Sequence, residues 1–443
     1  MTHPITNLVA RALLIPAAVL AQAAWAGPTI QHWVADTGAR VYYVSSDALP
    51  MLDVRVDFAA GSAREPAGLT GLASMTRALI DTGADGLDEQ AIAEAVADTG
   101  AQIGGGTDND RAWMSVRTLS SEREREAAIA LAARMLKRPD YPDAALQRER
   151  ARAIAGLRES LTRPATLAER SFAEQVFGDH PYGRNASVAS LELITREALV
   201  DFHREHYTAR NATVTIVGDA DRATAARIAE KLTRELPAGE PMPPLPAPSM
   251  PAAEVERIAH PSAQAHILAG MPGIAREDPD YYTLLVGNHI LGGSGLISRL
   301  SREVRDERGF AYSVYSYFAP NAVPGPFQIG LQTRGSQAED ALAVVREVLA
   351  DFIANGPTDK ELVAAKANIV NGFGLRLDSN SKILGYVAMI GFYGLPLDWL
   401  DTYTTHVEAV DAQGIRDAFA RRIRPENLAV VIAGGDGDRR DAP

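Results

Sequence analysis

One pattern of segments occurs twice in this chain, on either side of a proline-rich stretch, and it limits the possible folds more than any other feature. In the first copy, Leu52-Asp53-Val54-Arg55-Val56-Asp57-Phe58 alternates apolar and polar residues, the period of a half-buried strand from an antiparallel-type sheet. Gly61 to Glu65 breaks it, and Leu69, Leu72, Ala73, Ala78 and Leu79 then share one face of a predicted helix that Gly83 and Gly86 should end. Ala91 to Thr99 reads as a second helix, Trp113 to Leu119 as a strand, and Glu122–Leu136 and Pro142–Leu161 as two long charged helices. Asn211 to Val217 is a strand that stops at Gly218-Asp219.

The second copy follows at an offset of roughly 210 to 216 residues, a duplicated domain rather than a short repeat. His266 to Gly270 answers Val54 to Phe58, Phe327 to Leu331 answers Trp113 to Leu119, Glu361 to Phe373 answers the second charged helix, and Leu428 to Gly434 answers the Asn211 strand. Between the copies stand Pro237, Pro241, Pro243, Pro244, Pro246, Pro248 and Pro251, a stiff extended linker with no core of its own. The expected fold class is α+β: homologous domains at 27–236 and 253–434, joined by 237–252, each a largely antiparallel or mixed sheet with helices on one face. Residues 435–443 are polar and read as a frayed tail.

Residues 1–26 read as a secretory leader. Arg11 gives the positive region, Ala12 to Ala21 the apolar run, and Ala24-Trp25-Ala26 a small-x-small cleavage site, so a cut after Ala26 is expected. An uncleaved anchor is the alternative, for which the apolar run is short. The net charge of −12 argues against nucleic acid or an anionic membrane as partner. Cysteine is absent, which excludes a disulfide framework, thiolate zinc sites and cysteine nucleophiles. A leader on such a chain makes the bacterial periplasm the simplest compartment.

Four stretches together resemble the pitrilysin/insulinase (inverzincin) metallopeptidase family over nearly the whole length after the leader. They are Gly68-Leu69-Thr70-Gly71-Leu72-Ala73-Ser74-Met75, His180-Pro181-Tyr182-Gly183-Arg184, Asn211 to Asp219, and Leu291-Gly292-Gly293-Ser294-Gly295-Leu296-Ile297-Ser298-Arg299-Leu300 continuing through Arg308 to Val314. Active members carry His-x-x-Glu-His on the helix after the first strand, two zinc ligands flanking a general base, and a third Glu ligand on a later helix. By this resemblance those places are Gly71, Ser74, Met75 and Gly156, and none of the four can ligate zinc or take a proton from water. The chain is therefore expected to bind no metal and no cofactor of its own.

His203 and His206 are the one close histidine pair; they read as a capping or surface pair rather than a relocated metal site. Glu149 and Glu159, flanking Gly156, read as solvated partners of nearby arginines, and the His180 to Arg184 stretch as a structural turn. The resemblance further implies that Arg305 and Tyr312, seven residues apart, bind the substrate backbone: a guanidinium fork for a carbonyl or carboxylate, and a phenol that can donate to an oxyanion. Gly292, Gly293 and Gly295 form a close-approach loop in the cleft wall, without the Gly-Lys-Ser/Thr of a phosphate cradle. Relatives pair substrate with an edge strand that here spans Gln102 to Asp108, and Gly104-Gly105-Gly106 departs from their pattern.

Missing ligands beside a present Arg/Tyr pair resemble the non-catalytic subunit of a two-subunit peptidase. The expected partner is a homologous zinc-bearing chain with His-x-x-Glu-His, each contributing half of a clamshell chamber for peptides. A purely structural assembly protein is the alternative, and an autonomous metalloprotease stands last because its site is missing.

Overall fold

The computed structural model describes residues 27–435, so the expected leader and the residues after Gly435 lie outside it. The first sheet contains β1 (Gln31–Val34), β2 (Arg40–Ser45), β3 (Met51–Phe58), β6 (Gln102–Thr107), β7 (Ala112–Leu119) and β8 (Ala212–Gly218), while β4 (Gly83–Ala84) and β5 (Leu87–Asp88) form a separate hairpin. The second sheet contains β9 (Val255–Ile258), β10 (Gln264–Pro272), β11 (Ala311–Phe318), β12 (Pro326–Arg334) and β13 (Ala429–Gly434).

The two sheets share one topology. The first runs β1-β2-β8-β3-β7-β6 and the second β11-β12-β10-β13-β9. Central β3 lies antiparallel between β7 and β8, as β10 lies antiparallel between β12 and β13. Parallel pairing of β2 with β8 recurs in β9 with β13, and β6 on β7 recurs in β11 on β12. The strands matched by sequence thus occupy equivalent places, in a mixed α+β architecture.

Five helices of the first half are α1 (Leu72–Ala78), α2 (Glu89–Thr99), α3 (Glu122–Lys137), α4 (Asp143–Ser160) and α5 (Pro164–Phe177). Helix α1 is shorter than its pattern predicts. It ends at Ala78, and Gly83 and Gly86 do not terminate it; they belong to the β4–β5 hairpin. Asp85 and Gly86 both take positive φ, 49° and 82°, as a tight two-residue hairpin turn requires. Residues 237–252 contain no helix or strand. No helix among the described residues is long and apolar enough to cross a membrane.

The alternation in β3 predicts one wet face, and here the structure differs. Leu52, Val54, Val56 and Phe58 point into the first core as expected, but Asp53 and Asp57 are buried as well. A buried carboxylate needs a partner. Arg117 holds Asp53 at 2.7 and 3.1 Å, while Arg55 holds Asp57 at 2.9 Å with Arg111 at 3.7 Å.

What covers that face is a helix from the other half. Asn380–Tyr393 packs across β2, β3 and β8, and Gly391 sits where an added Cβ would stand 2.6 Å from the Tyr42 ring. The exchange is reciprocal. Helix α5 packs on β10 and β13, placing Ala168, Phe172 and Val176 beside Leu268, Val431 and Ala433. The close approach here is at Gly270, where a Cβ would stand 2.8 Å from Phe172.

Asp110 clasps the two halves. Buried at 4% exposure in the β6–β7 turn, it accepts from the Tyr182 hydroxyl, from the Tyr393 hydroxyl at 2.9 Å and from the Ala322 N–H at 2.8 Å. The last two belong to the second half. Asp110→Ala leaves three donors short of an acceptor and should cost about 2–4 kcal/mol. Urea unfolding at neutral pH checks this, and a loss below about 1 kcal/mol would show the clasp to be dispensable.

Candidate functional site

The stretch that the sequence resemblance matches to the family's zinc helix forms α1. Its N-cap, Gly71, has φ 107°, a backbone that strains any side chain, and a Cβ there would lie 2.7 Å from Leu191 Cδ2, which would have to shift. Ser74 faces solvent, and Met75 is buried in the first core at 4% exposure. Gly156 lies on an open stretch of α4 with nothing within 4 Å of an added Cβ. These residues do not fit a zinc ion: two offer no side chain, one a lone hydroxyl and one a buried thioether. Among the described residues, no group of three or more His, Asp or Glu is placed to hold a metal.

The nearby carboxylate is committed to the backbone. Glu65 is buried at 4% exposure, and its Oε1 accepts from the Gly71 N–H at 3.0 Å and the Ala73 N–H at 2.8 Å, capping α1 from outside the helix. Burial pushes its carboxyl up to about 7 against those two donors and Arg184. Sequence reading missed this cap, which follows from a Glu six residues before the N-cap Gly71.

His203 and His206 are neither capping nor surface groups, which corrects the expectation. Both are buried in the last turn of the helix Arg196–His206. His203 stacks on Tyr207 at 4.6 Å, His206 packs on Phe202 at 4.3 Å, and burial pushes the His203 imidazole down to about 4. They are neutral core rings. Glu149 lies 3.7 Å from Arg152, in the solvated role expected of it, and exposed Glu159 accepts from the Thr162 hydroxyl only through its backbone carbonyl. His180 is a turn residue, taking the Tyr182 N–H at 3.1 Å and meeting the Pro246 carbonyl at 2.9 Å.

The Gly104-Gly105-Gly106 run has a packing cause. These residues form the edge strand β6 beside the buried guanidinium of Arg77, whose Nε donates to the Trp113 carbonyl at 2.7 Å. A Cβ on Gly105 would lie 2.0 Å from that carbonyl and 2.3 Å from Arg77 Nε, and one on Gly106 would lie 2.6 Å from the Trp113 ring. At Gly104 the nearest atom is 3.9 Å away.

The second half presents the Arg/Tyr pair in the open. Arg305 stands on a wide helical turn, Ser301–Glu307, with its guanidinium 5.4 Å from the Tyr312 ring centre. A bulge between Ala311 and Val314 in β11 lifts Tyr312 out of the ladder, leaving it 86% exposed. Both line an open groove of about 400 Å³ with Gln264, Gln332 and Arg334. Of the loop glycines, Gly292 is a close approach, 2.4 Å from Ser316 Oγ to an added Cβ, and Gly293 meets Asn288 at 2.8 Å. Gly295, at φ 62°, supplies a left-handed turn before the exposed Leu296 and Ile297. Arg299, whose role the sequence did not disclose, anchors the loop's far end through Glu361 at 2.7 Å and Asp351 at 3.1 Å.

With this geometry in hand, comparison decides the kinship. A crystal structure of a peptidase M16 inactive domain from Pseudomonas fluorescens is 36% identical and superposes with a TM-score of 0.88, covering 91% of this chain and 97% of that one. The chain belongs to the peptidase M16 family. The M16 family profile described as the peptidase M16 inactive domain matches residues 193–369. An uncharacterized zinc protease of Streptomyces coelicolor is 32% identical over 233 residues, a match spanning 51% of this chain and 50% of that protein's length. A non-peptidase homolog, YmxG, of Helicobacter pylori is 24% identical over 405 residues, covering 88% of this chain and 91% of that one. The M16 family resemblance drawn from the four sequence stretches is therefore correct.

Two predictions follow from the α1 and β6 geometry. Gly105→Ala should cost about 1–3 kcal/mol or more by overpacking, whereas Gly104→Ala should be neutral within about 0.5 kcal/mol; comparative denaturation checks the pair. Glu65 titrates near 7 in the fold and near 4.5 unfolded. Its folded value is the higher, so its contribution is most favourable below pH 4.5 and declines as pH rises to 7. The loss is on the order of 3 kcal/mol at 1.36 kcal/mol per pH unit. Glu65→Gln should therefore gain on the parent chain between pH 5 and 7 and hold the difference at pH 8; a gap that stays flat with pH would contradict the raised carboxyl.

Proposed function

We propose that this chain is the non-catalytic, peptide-binding subunit of a two-subunit M16 peptidase, exported to the periplasm. One contrast carries the reading. The zinc positions Gly71, Ser74, Met75 and Gly156 cannot ligate a metal, while Arg305 and Tyr312 stand together in an open groove. A homologous partner with His-x-x-Glu-His supplies the metal chemistry. This chain supplies half of the chamber wall and two groups suited to an extended peptide.

The guanidinium of Arg305 offers several donors in one plane to a backbone carbonyl or a terminal carboxylate. The Tyr312 hydroxyl lies on the same groove and can donate to oxygen that gains charge as a carbonyl is attacked. β6 ends its sheet and offers an edge to which a peptide strand can add through main-chain hydrogen bonds, whereas on β11 the Ser316 carbonyl is already held by Asn288 at 3.0 Å. The inactive-domain description of the family profile and the non-peptidase designation of the Helicobacter homolog support absence of catalysis by the chain alone.

The test is reconstitution. The purified chain should hold no stoichiometric zinc by elemental analysis and cleave no labelled peptide. Mixing with the zinc-bearing homolog should give chelator-sensitive cleavage. In that mixture Arg305→Ala should lower kcat/KM roughly 10- to 100-fold, with the dimer intact by size exclusion. Full activity in the Arg305 variant would remove the residue from substrate contact, and tightly held zinc with proteolysis by the isolated chain would end the subunit reading.

A further inference from the structure

Helix α5 shields β10 and β13, and the adjoining strip of β12 and β11 on the same face stays open. Two tyrosines of β11 occupy this strip. Tyr315 and Tyr317 stack with ring centres 6.0 Å apart and planes within 9°, at 40% and 37% exposure. Tyr315 lies flat over its cross-strand neighbour Gly330, where a Cβ would stand 2.4 Å from the phenol carbon. That glycine makes room for the ring.

Glu169 of α5 borders the same strip. It is exposed, and it forms no ion pair or hydrogen bond among the described residues. It lies close enough to both tyrosines to add to the effect of burial, which pushes the Tyr315 phenol up and the Tyr317 phenol up to about 12. Both phenols stay neutral at working pH. Between Glu169, Tyr315 and His266 is a narrow pocket of about 70 Å³. It holds a few water-sized groups, enough for an ammonium or guanidinium head and too little for an aromatic ring. Burial pushes the His266 imidazole down, so no second cation competes there.

An unpaired carboxylate and electron-rich ring faces around a small pocket favour a cation. The pocket shares Ser313 and Gln332 with the Arg305 and Tyr312 groove, so one extended ligand can reach both. We propose that the open strip beside β11 takes an extended peptide laid across it, and that Glu169 and Tyr315, with Tyr317 stacked beside them, receive a lysine or arginine side chain from it. This rests on the peptide-binding reading above and adds a charge preference to it. Residues on alternate positions of an extended peptide point the same way, which lets one side chain enter the pocket while the main chain crosses the exposed tyrosines.

Fluorescence anisotropy with the purified chain tests this. The probes are two fluorescein-labelled Ala/Thr peptides that differ only at a central lysine or norleucine. The lysine peptide should bind roughly tenfold more tightly. Glu169→Gln should bring it down to the level of its norleucine twin, and Tyr317→Leu should remove part of the preference. Arg305→Ala should weaken both peptides alike. Equal binding of the two peptides by the native chain, or a preference that survives Glu169→Gln, overturns the cation pocket while leaving peptide binding in place. Binding of neither peptide overturns the peptide strip together with the peptide-binding role on which it rests.

Discussion

Each sheet in this protein has two faces to keep dry, and each half of the chain lends the other the helix that covers the second one. The helix Asn380–Tyr393 closes the Asp53 and Asp57 face of the first sheet, and α5 closes the Leu268 face of the second. Neither half can bury its central strand alone. The fold is therefore one cooperative body, although its sequence is duplicated. The contact points explain two glycines without appeal to flexibility. Gly391 lets a helix backbone settle on Tyr42, and Gly270 lets a strand backbone take the Phe172 ring. Asp110 then joins both halves through three hydrogen bonds in a buried setting, where an unmet donor is costly.

The same constraint separates the fold from the chemistry. Helix α1 is held by Leu72, Met75 and Leu79 on its buried side and by Glu65 at its start. Nothing in that list involves a metal. Its N-cap glycine has a backbone that strains any side chain, and Ser74 has only solvent to face. These side chains account for the packing of the helix. Arg77 extends the point: its guanidinium is spent on the Trp113 carbonyl under β6, and that strand is glycine-rich to let it lie there.

Much of the architecture was legible because it is written in short-range periodicity. Alternation located β3, and the duplicated spacing placed β10, β12 and β13 in the same relative order as β3, β7 and β8. What was illegible depends on which elements meet. The alternation of β3 shows which residues are polar, and cannot show that Arg117 waits opposite Asp53 or that a distant helix covers both. Gly83 and Gly86 looked like helix stops because a glycine pair punctuates either a helix end or a hairpin, and only the partner strand distinguishes them. His203 and His206 looked like surface groups because imidazole is polar; their ring partners Tyr207 and Phe202 lie four positions away in sequence, on the same helix face, a signal for ring packing that could have been read. The missing zinc donors were legible outright, since ligand chemistry is a property of residue type. The exposure of Tyr312 was not, because it depends on a bulge.

That exposure is the strongest physical argument for a ligand on this face. A tyrosine ring left in water forgoes the burial that stabilises most aromatic side chains by about 1.5–3 kcal/mol. Here β11 leaves its ladder to hold Tyr312 at 86% exposure, and sets Tyr315 and Tyr317 beside it, both still partly wet. Three tyrosines on one strand give up stability in the free chain, and an extended ligand would restore it by covering them. The bulged strand also puts the Arg305 guanidinium against the most exposed ring, so the polar and apolar parts of a peptide would find their counterparts within one contiguous depression. A fold needing only to assemble could have buried these rings in its partner-free core, as it does with Tyr141 and Tyr207.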